Sequence, residues 1–305
     1  MEQNQILNRS DPMNRLTAVA QEGDRNRKIK YFVRGRMGVS YHQFSALKSS
    51  GGLRVNGTPV HANYLLSPGD VVEAVLEDVA APKPVAPEDA PVALVYEADD
   101  LMIIDKPAPL ACQCSSRQPD HTLENRLAWR YRDEAAFTFR PLNRLDKGTS
   151  GLMAAARHAH AAQRLQKQLH SPAFIREYLA VVEGALTGSG TIDLPIAKAD
   201  GATIRRCVDF ECGKPAVTHY AAVAHGNGRT LVRLRLETGR THQIRVHLSH
   251  LGFPIAGDFL YGTELDALPG RFALHSARIA LNHPITGERI ERESPLPPEL
   301  EHLLE

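Results

Sequence analysis

Apolar residues fall in short runs whose period changes along the chain, and these runs predict an interleaved set of strands and helices. From residue 93 onward, Ala93–Tyr96 and Leu101–Ile104 read as strands around an Asp99-Asp100 turn, the second broken by Asp105-Lys106-Pro107. Thr122 to Tyr131 reads as a helix with Leu123, Leu127 and Tyr131 on one face. A polar stretch, Asn143 to Leu152, then leads into the small apolar run Leu152–Ala156, the pattern of a loop feeding a buried strand. A helix over His160 to Leu169 follows, with Leu165 and Leu169 as its apolar stripe. Arg176 to Glu183 is a strand ended by Gly184, and its period of two puts Tyr178, Ala180 and Val182 on one face. A further strand pair is expected around Gly213-Lys214, running through Ala216 to Ala222. Leu231 to Glu237 alternates well. Thr241 is the expected N-cap of a helix ending at Gly252, with Ile244, Leu248 and Leu251 facing the core and Arg245 off that stripe. Strands and helices mixed irregularly, with short turns, predict an α+β domain on a mixed, mainly antiparallel sheet flanked by helices.

The first quarter has a different character. Residues 1–26 mix charges without a period and read as a flexible tail. In residues 27–77 a short helix through Lys28–Met37 stops at Gly38, and Ser40 with Gln43 offers a capping box for a second, ended by Gly51-Gly52. Asn56-Gly57 signals a hairpin, and Ser67-Pro68-Gly69-Asp70 turns into a strand from Val71 to Leu76. Between Arg27 and Leu76, seven basic residues (Arg27, Lys28, Lys30, Arg34, Arg36, Lys48, Arg54) face only two acidic ones, Asp70 and Glu73. Residues 78–92 are rich in proline and alanine and read as a semi-extended linker with little packing. The expected organisation is therefore tail 1–26, small basic domain 27–77, linker 78–92 and main domain 93–305.

A chain of 305 residues can hold two domains and a substantial core. No apolar run approaches the ~18 residues of a membrane span, and no apolar signal core opens the sequence, so a cytosolic protein is expected. Four cysteines are too few for a disulfide framework, and neither their spacing nor that of the 14 histidines matches a common metal site. The net charge of +1 decides nothing; the placement of charge does.

Two polar clusters carry the candidate chemistry. One is Asn143-Arg144-Leu145-Asp146-Lys147-Gly148-Thr149-Ser150-Gly151-Leu152; alone, it equally fits a turn in which Asp146 caps local N–H groups. The other is Thr238-Gly239-Arg240-Thr241-His242-Gln243-Ile244-Arg245-Val246-His247, continuing to Gly257-Asp258; alone, it fits a solvated helix start. Together, about ninety residues apart, they resemble the RluA-type pseudouridine synthases. Arg176–Gly184, Gly213–Thr218, Leu274-His275-Ser276-Ala277 and Asn282–Glu288 fit the same pattern, so the likeness spans residues 93 to 295. Gly51-Gly52-Leu53-Arg54-Val55-Asn56-Gly57 with Ser67–Val72 resembles the S-four-type RNA-binding domain, named for a small-subunit ribosomal protein.

The resemblance implies an isomerase that converts uridine to pseudouridine in structured ribosomal or transfer RNA. It implies Asp146 as the catalytic carboxylate acting at the glycosidic carbon, Tyr178 as the ring that packs on uracil near its C5 proton, and Arg245 as the partner of Asp146. Arg144 matches an arginine that wedges into RNA where the uridine leaves the stack. Arg240, His242 and Gln243 are expected to contact RNA, as are Arg27, Lys28, Lys30, Arg34, Lys48 and Arg54 of the basic domain. No redox step or group transfer occurs, so no cofactor is required, and nothing calls for more than a monomer. Asn143 stands where the family usually has histidine, which implies altered RNA contacts. Two alternatives stand beside this: a non-catalytic RNA-binding or ribosome-assembly factor on the same fold, and a hydrolase of N-glycosidic bonds. The second suffers from lacking a second carboxylate in either motif.

Overall fold

The computed structural model describes residues 15–39, 41–75, 85–134, 137–169, 171–202 and 204–305. The chain divides into two compact units between residues 83 and 84, with 158–164 counted to the first.

In the first unit, β1 (Arg15–Val19), α1 (Ile29–Gly35), α2 (Tyr41–Ser50), β2 (Leu53–Val55), β3 (Thr58–Pro59) and β4 (Val71–Val75) form a four-stranded sheet in the order β1-β4-β2-β3 with two helices. The expected tail is corrected here: Arg15–Val19 pairs antiparallel with β4, Leu16 opposite Ala74 and Ala18 opposite Val72. Leu16 and Ala18 alternate inward, a period too short to read among the surrounding charges. Ser40, offered as a cap, lies outside the described residues, as does Leu76. The hairpin and the later turn lock each other. Buried Asp70 accepts from the Ser67 N–H at 2.8 Å and from Asn56 Nδ2 at 3.0 Å, while Asn56 Oδ1 accepts from the Val71 N–H at 2.9 Å. Ile29, Phe32, Val33, Phe44, Leu47, Leu53, Val72 and Ala74 fill the core between helices and sheet.

The second unit is built on ten strands. They are β5 (Ala93–Glu97), β6 (Leu101–Lys106), β7 (Arg140–Pro141), β8 (Ser150–Ala156), β9 (Ile175–Glu183), β10 (Ser189–Asp193), then, after a separate pair β11 (Ile196–Lys198) and β12 (Arg206–Val208), β13 (Val217–Gly226), β14 (Arg229–Leu236), β15 (Leu274–Asn282) and β16 (Arg289–Glu293). The order is β10-β13-β14-β9-β15-β8-β6-β5, with β16 beside β15 and β7 beside β8. Every pairing is antiparallel except β15 with β8. The helices are α3 (Leu123–Arg130), α4 (Ala159–Gln168), of which only the residues after Arg164 count to this unit, α5 (Gln243–His250) and α6 (Pro298–Glu301). The α+β class, on a mixed and mainly antiparallel sheet, stands as expected.

Local chemistry explains most of these boundaries. Thr122 Oγ1 accepts from the Asn125 N–H, and Asn125 Oδ1 accepts from the Thr122 N–H, so α3 starts in a reciprocal cap. Leu123 and Leu127 are buried as their spacing implied. All seven residues of β8 are buried, as a small apolar strand covered on both faces must be.

Several expectations are corrected. β6 runs through Lys106 instead of stopping at Ile104, because Asp105 and Lys106 still pair with Leu152 and Gly151. Gly213-Lys214 forms only a single bridge, Lys214 with Ile196, and β13 starts at Val217. Residues 85–92, expected to pack little, are tied to α3: Asn125 Nδ2 donates to the Ala86 carbonyl at 2.8 Å and Arg126 to that of Pro91. The N-cap of α5 is His242 rather than Thr241, and Leu251 lies past the helix end, 37% exposed. β15, which sits between β9 and β8 at the middle of the sheet, was not read as a strand at all.

Candidate active site

Asp146 sits in the loop between β7 and β8, and three separate devices hold that loop. Its own turn closes by the Thr149 N–H donating to the Asp146 carbonyl at 3.1 Å. The Lys147 carbonyl accepts from the Leu110 N–H at 2.9 Å. Lys106 Nζ, fully buried, donates to the carbonyls of Leu110 (2.7 Å), Pro107 (2.9 Å) and Lys147 (3.4 Å). Two glycines are required where the loop meets the sheet. A β-carbon on Gly148 would lie 2.7 Å from the Phe272 ring, and Gly151, at φ +99°, would place one 2.3 Å from the Ser276 carbonyl oxygen of β15. Any side chain at Gly151 would wedge β15 away from β8.

The loop delivers a partly exposed carboxylate onto a buried cation. Arg245, on the first turn of α5 and 3% exposed, donates through Nη1 to Asp146 Oδ2 at 2.9 Å. Its other edge is taken by a second carboxylate: Nε to Asp258 Oδ2 at 2.7 Å and Nη2 to Asp258 Oδ1 at 2.8 Å. Asp258 is completely buried, and its Oδ1 also accepts from the N–H groups of Leu260 and Tyr261. The guanidinium lies 4.1 Å from the ring centre of Phe272 and 5.0 Å from that of Tyr261. Burial works against the Arg245 charge, yet the hydrogen bonds and charges of Asp258 and then Asp146 outweigh it and raise its pKa. The result is a rigid Asp258–Arg245–Asp146 chain with only its last member, at 29% side-chain exposure, reaching toward solvent.

His242 adjoins the same carboxylate. Its backbone is left-handed at φ +58°, which aims its ring back across the start of α5. Nε2 lies 3.9 Å from Asp146 Oδ2, and Nδ1 lies 2.8 Å from the Tyr261 hydroxyl. That hydroxyl also accepts from the Arg206 N–H at 2.8 Å, so Tyr261 ties the His242 ring to the backbone of β12. Burial lowers the His242 pKa against the pull of Asp146, which keeps the ring neutral at pH 7. Tyr178 is buried on β9; burial raises its phenol pKa, Ser276 hydrogen-bonds it and works the other way, and the Asp146 charge adds to the rise.

Asp146, Arg245, Tyr178 and His242 therefore converge, while the other residues named from sequence do not all join them. Arg144 is exposed next to Asp146. Arg240 is exposed, with Nε on the Pro215 carbonyl. Gln243, expected to contact RNA, is corrected to an internal brace. It is 2% exposed and its amide makes four bonds, to Thr238 Oγ1, the Arg240 N–H, the Val217 carbonyl and Thr218 Oγ1. Asn143 is likewise buried, its Oδ1 accepting from the Ala154 N–H of β8 at 3.0 Å, so it shapes the loop from inside rather than meeting a ligand. In the first unit, Arg27 is drawn to buried Asp24 at 3.3 Å and Arg54 is half-buried, whereas Lys28, Arg34 and Lys48 are exposed.

Sequence reasoning missed Lys106, Asp258, Tyr261 and Phe272. A buried arginine at Arg245 requires a buried carboxylate, and Gly257-Asp258 closed the same cluster, so Asp258 was within reach. The others had no such signal. A cavity of about 560 Å³ borders Tyr178 but is lined by Glu177, Arg233, Arg278, Glu291 and Glu293 and lacks Asp146 and Arg245. Arg278 there is already paired with Glu177 and Glu291. Among the described residues, no group of histidine, cysteine and carboxylate side chains could hold a metal ion, and no helix is long and apolar enough to cross a membrane.

Burial lowers the Lys106 pKa from 10.5 to about 8, partly opposed by Cys112 and Asp146. Between those values the unfolded chain binds more protons than the folded one, so Lys106 makes stability rise as pH increases from about 8 to 10.5. The rise amounts to roughly 3 kcal/mol. Urea unfolding across this range should show it in the wild type, and Lys106→Met should flatten it; equal slopes in the two proteins would count against a buried ammonium.

The fold and this loop-and-helix site are those of an RNA-modifying enzyme family, and comparison with known proteins agrees. The RNA pseudouridylate synthase family matches residues 100–250. A ribosomal large subunit pseudouridine synthase D of Xanthomonas campestris is 41% identical over 233 residues, 72% of this chain and 70% of that protein. An uncharacterized RNA pseudouridine synthase of Bacillus subtilis is 35% identical over 299 residues, 96% of this chain and 98% of the relative. Among solved structures, human RNA pseudouridylate synthase domain containing 1 superposes with a TM-score of 0.58 at 27% identity, covering 71% of this chain and 89% of that one. The chain belongs to the RNA pseudouridine synthase family and is an isomerase that converts uridine to pseudouridine in RNA.

Proposed function

We propose that this isomerase modifies uridines in structured ribosomal RNA, with Asp146 as its catalytic carboxylate. The observation that carries this is the Asp258–Arg245–Asp146 chain, which holds one ionised carboxylate oxygen-first at the mouth of the site. An ionised carboxylate suits a sugar carbon that becomes cationic as the glycosidic bond loosens. The N1–C1′ bond breaks with Asp146 at C1′, uracil turns, and C5–C1′ forms; the proton leaves C5 and one is taken up at N1.

Tyr178 packs on the uracil during that turn. Its raised pKa makes it a neutral ring and hydrogen-bond donor at pH 7, supporting a role in holding the base and guiding the C5 proton rather than in holding charge. Arg144, exposed beside Asp146, fills the gap left by the extruded uridine, where a planar guanidinium replaces part of the lost stacking. Arg240 and His242 flank the bound strand.

The first unit serves as an S-four-type RNA-binding domain whose phosphate contacts position the substrate. The ribosomal choice is supported by the names of the relatives near 40% identity; transfer RNA is the other structured substrate to include. Either RNA places the reaction in the cytoplasm, and because all site residues come from one chain, a monomer is the working unit.

Tritium release from transcripts labelled at uridine C5 tests this. Release from ribosomal but not transfer transcripts is the expected outcome. Tight binding of all transcripts without release from any would favour a non-catalytic assembly factor on the same fold.

A further inference from the structure

The first unit carries exposed aromatic residues that the phosphate contacts proposed above leave unexplained. On α1 and its N-cap, Lys28, Tyr31 and Arg34 stand three residues apart, along one face. On α2, Tyr41 and Lys48 stand seven apart, again on one face. The opposite faces are spoken for: Ile29, Phe32 and Val33 of α1, and Phe44 and Leu47 of α2, are buried.

The rings themselves are open, Tyr31 at 53% and Tyr41 at 69% exposure. Each has a cation close to it. The Arg34 guanidinium lies 5.5 Å from the Tyr41 ring centre, which joins the two helical stripes, and the Lys30 ammonium lies 4.9 Å from that of Tyr31. Two other basic residues of this region are committed elsewhere, since Arg27 and Arg36 pair with buried Asp24 at 3.3 and 2.6 Å. What remains is a patch of two exposed tyrosines interleaved with Lys28, Lys30, Arg34 and Lys48.

Single exposed aromatics are ordinary on protein surfaces. Two of them, each with a cation over its ring and placed on adjoining helices, match the demands of one kind of partner. Bases of an unpaired strand offer flat faces to stack on, and its phosphates offer charge to the lysines and arginine; a duplex hides those faces and presents phosphate alone.

We propose that this face binds an unpaired RNA segment, stacking bases on Tyr31 and Tyr41 while Lys28, Lys30, Arg34 and Lys48 hold the adjacent phosphates. The proposal rests on reading the first unit as RNA-binding and goes further by naming the state of the RNA. Stacking of this kind accepts any base, so the unit selects for accessibility and leaves the choice of uridine to the catalytic unit.

The test uses the full chain and fluorescence anisotropy with a labelled oligoadenylate of about 12 nucleotides, single-stranded and annealed to oligouridylate. Replacing both rings (Tyr31→Ala with Tyr41→Ala) should weaken single-strand binding about tenfold or more while leaving the dependence of affinity on salt unchanged. Tyr31→Phe with Tyr41→Phe should restore binding, and duplex affinity should barely move. Replacing Lys28, Lys30, Arg34 and Lys48 by glutamine should instead flatten the salt dependence. If that fourfold variant binds as the wild type does, the RNA-binding reading of the unit itself falls. If it weakens binding but the paired alanine variant does not, or weakens duplex binding equally, the stacking proposal alone is overturned. Both rings are exposed, so an unchanged circular dichroism spectrum is expected throughout.

Discussion

Asp146→Ala gives a folded protein that binds RNA and releases no tritium from uridine C5. The reason lies in how the carboxylate is held. Asp146 is the outermost member of its ion chain, and truncating it exposes no orphaned charge, because Arg245 keeps both bonds to Asp258. The loop keeps its shape through backbone groups, the Thr149 and Leu110 N–H bonds and the Lys106 ammonium, none of which uses the Asp146 side chain. Thermal unfolding should therefore move little, while single-turnover chemistry falls below detection. Measurable turnover in this variant would remove Asp146 from the mechanism, and a large loss of stability would mean the loop leans on it.

Asp258→Ala produces the opposite pattern. Asp258 never meets solvent, and its loss leaves Nε and Nη2 of a 3% exposed guanidinium unpaired, with only the partly exposed Asp146 still bonded to it, along with the N–H groups of Leu260 and Tyr261. Breaking a buried pair by removing one partner costs about 3–5 kcal/mol, most of it from the charge left behind. The variant should unfold at markedly lower urea and also lose activity, because Arg245 no longer presents a fixed edge to Asp146. Removing both charges together, Arg245→Met with Asp258→Leu, should return much of the stability and none of the activity. Should the double variant be as unstable as Asp258→Ala, the cost would lie in packing around Phe272 and not in the stranded charge.

The parts legible in the sequence were those governed by local rules. α3 announced itself by spacing, β14 by strict alternation, and β8 by an unbroken small apolar run. The two polar clusters marked the site because together they carry the family resemblance, which implied Asp146, Arg245 and Tyr178; the structure pairs Arg245 with Asp146 and sets Tyr178 within reach of the Asp146 charge.

What stayed hidden depends on distant parts of the chain. β15 is buried on both faces and carries His275, Ser276 and Arg278 amid its apolar residues, so it shows no alternation; its polar groups are matched by partners such as Ser150 and Leu152, over a hundred positions away. Gln243 looked like a ligand contact because its four hydrogen-bond partners include Val217 and Thr218, on another strand. The left-handed turn at His242 defeated the cap rule, since a strained residue took the place of a favoured one.

The parallel seam between β15 and β8 has a consequence in time. His275 meets Ser150 across 125 positions of sequence, and Arg245 meets Asp146 across 99. Contacts so far apart form late, because a long loop must close before they contribute. During synthesis the Asp146 loop leaves the ribosome well before Arg245, Asp258 and the strand that clamps Gly151. A chain stalled before residue 245 would carry the Asp146 loop without its guanidinium partner, and one stalled short of residue 274 would still lack the strand packed against Gly151.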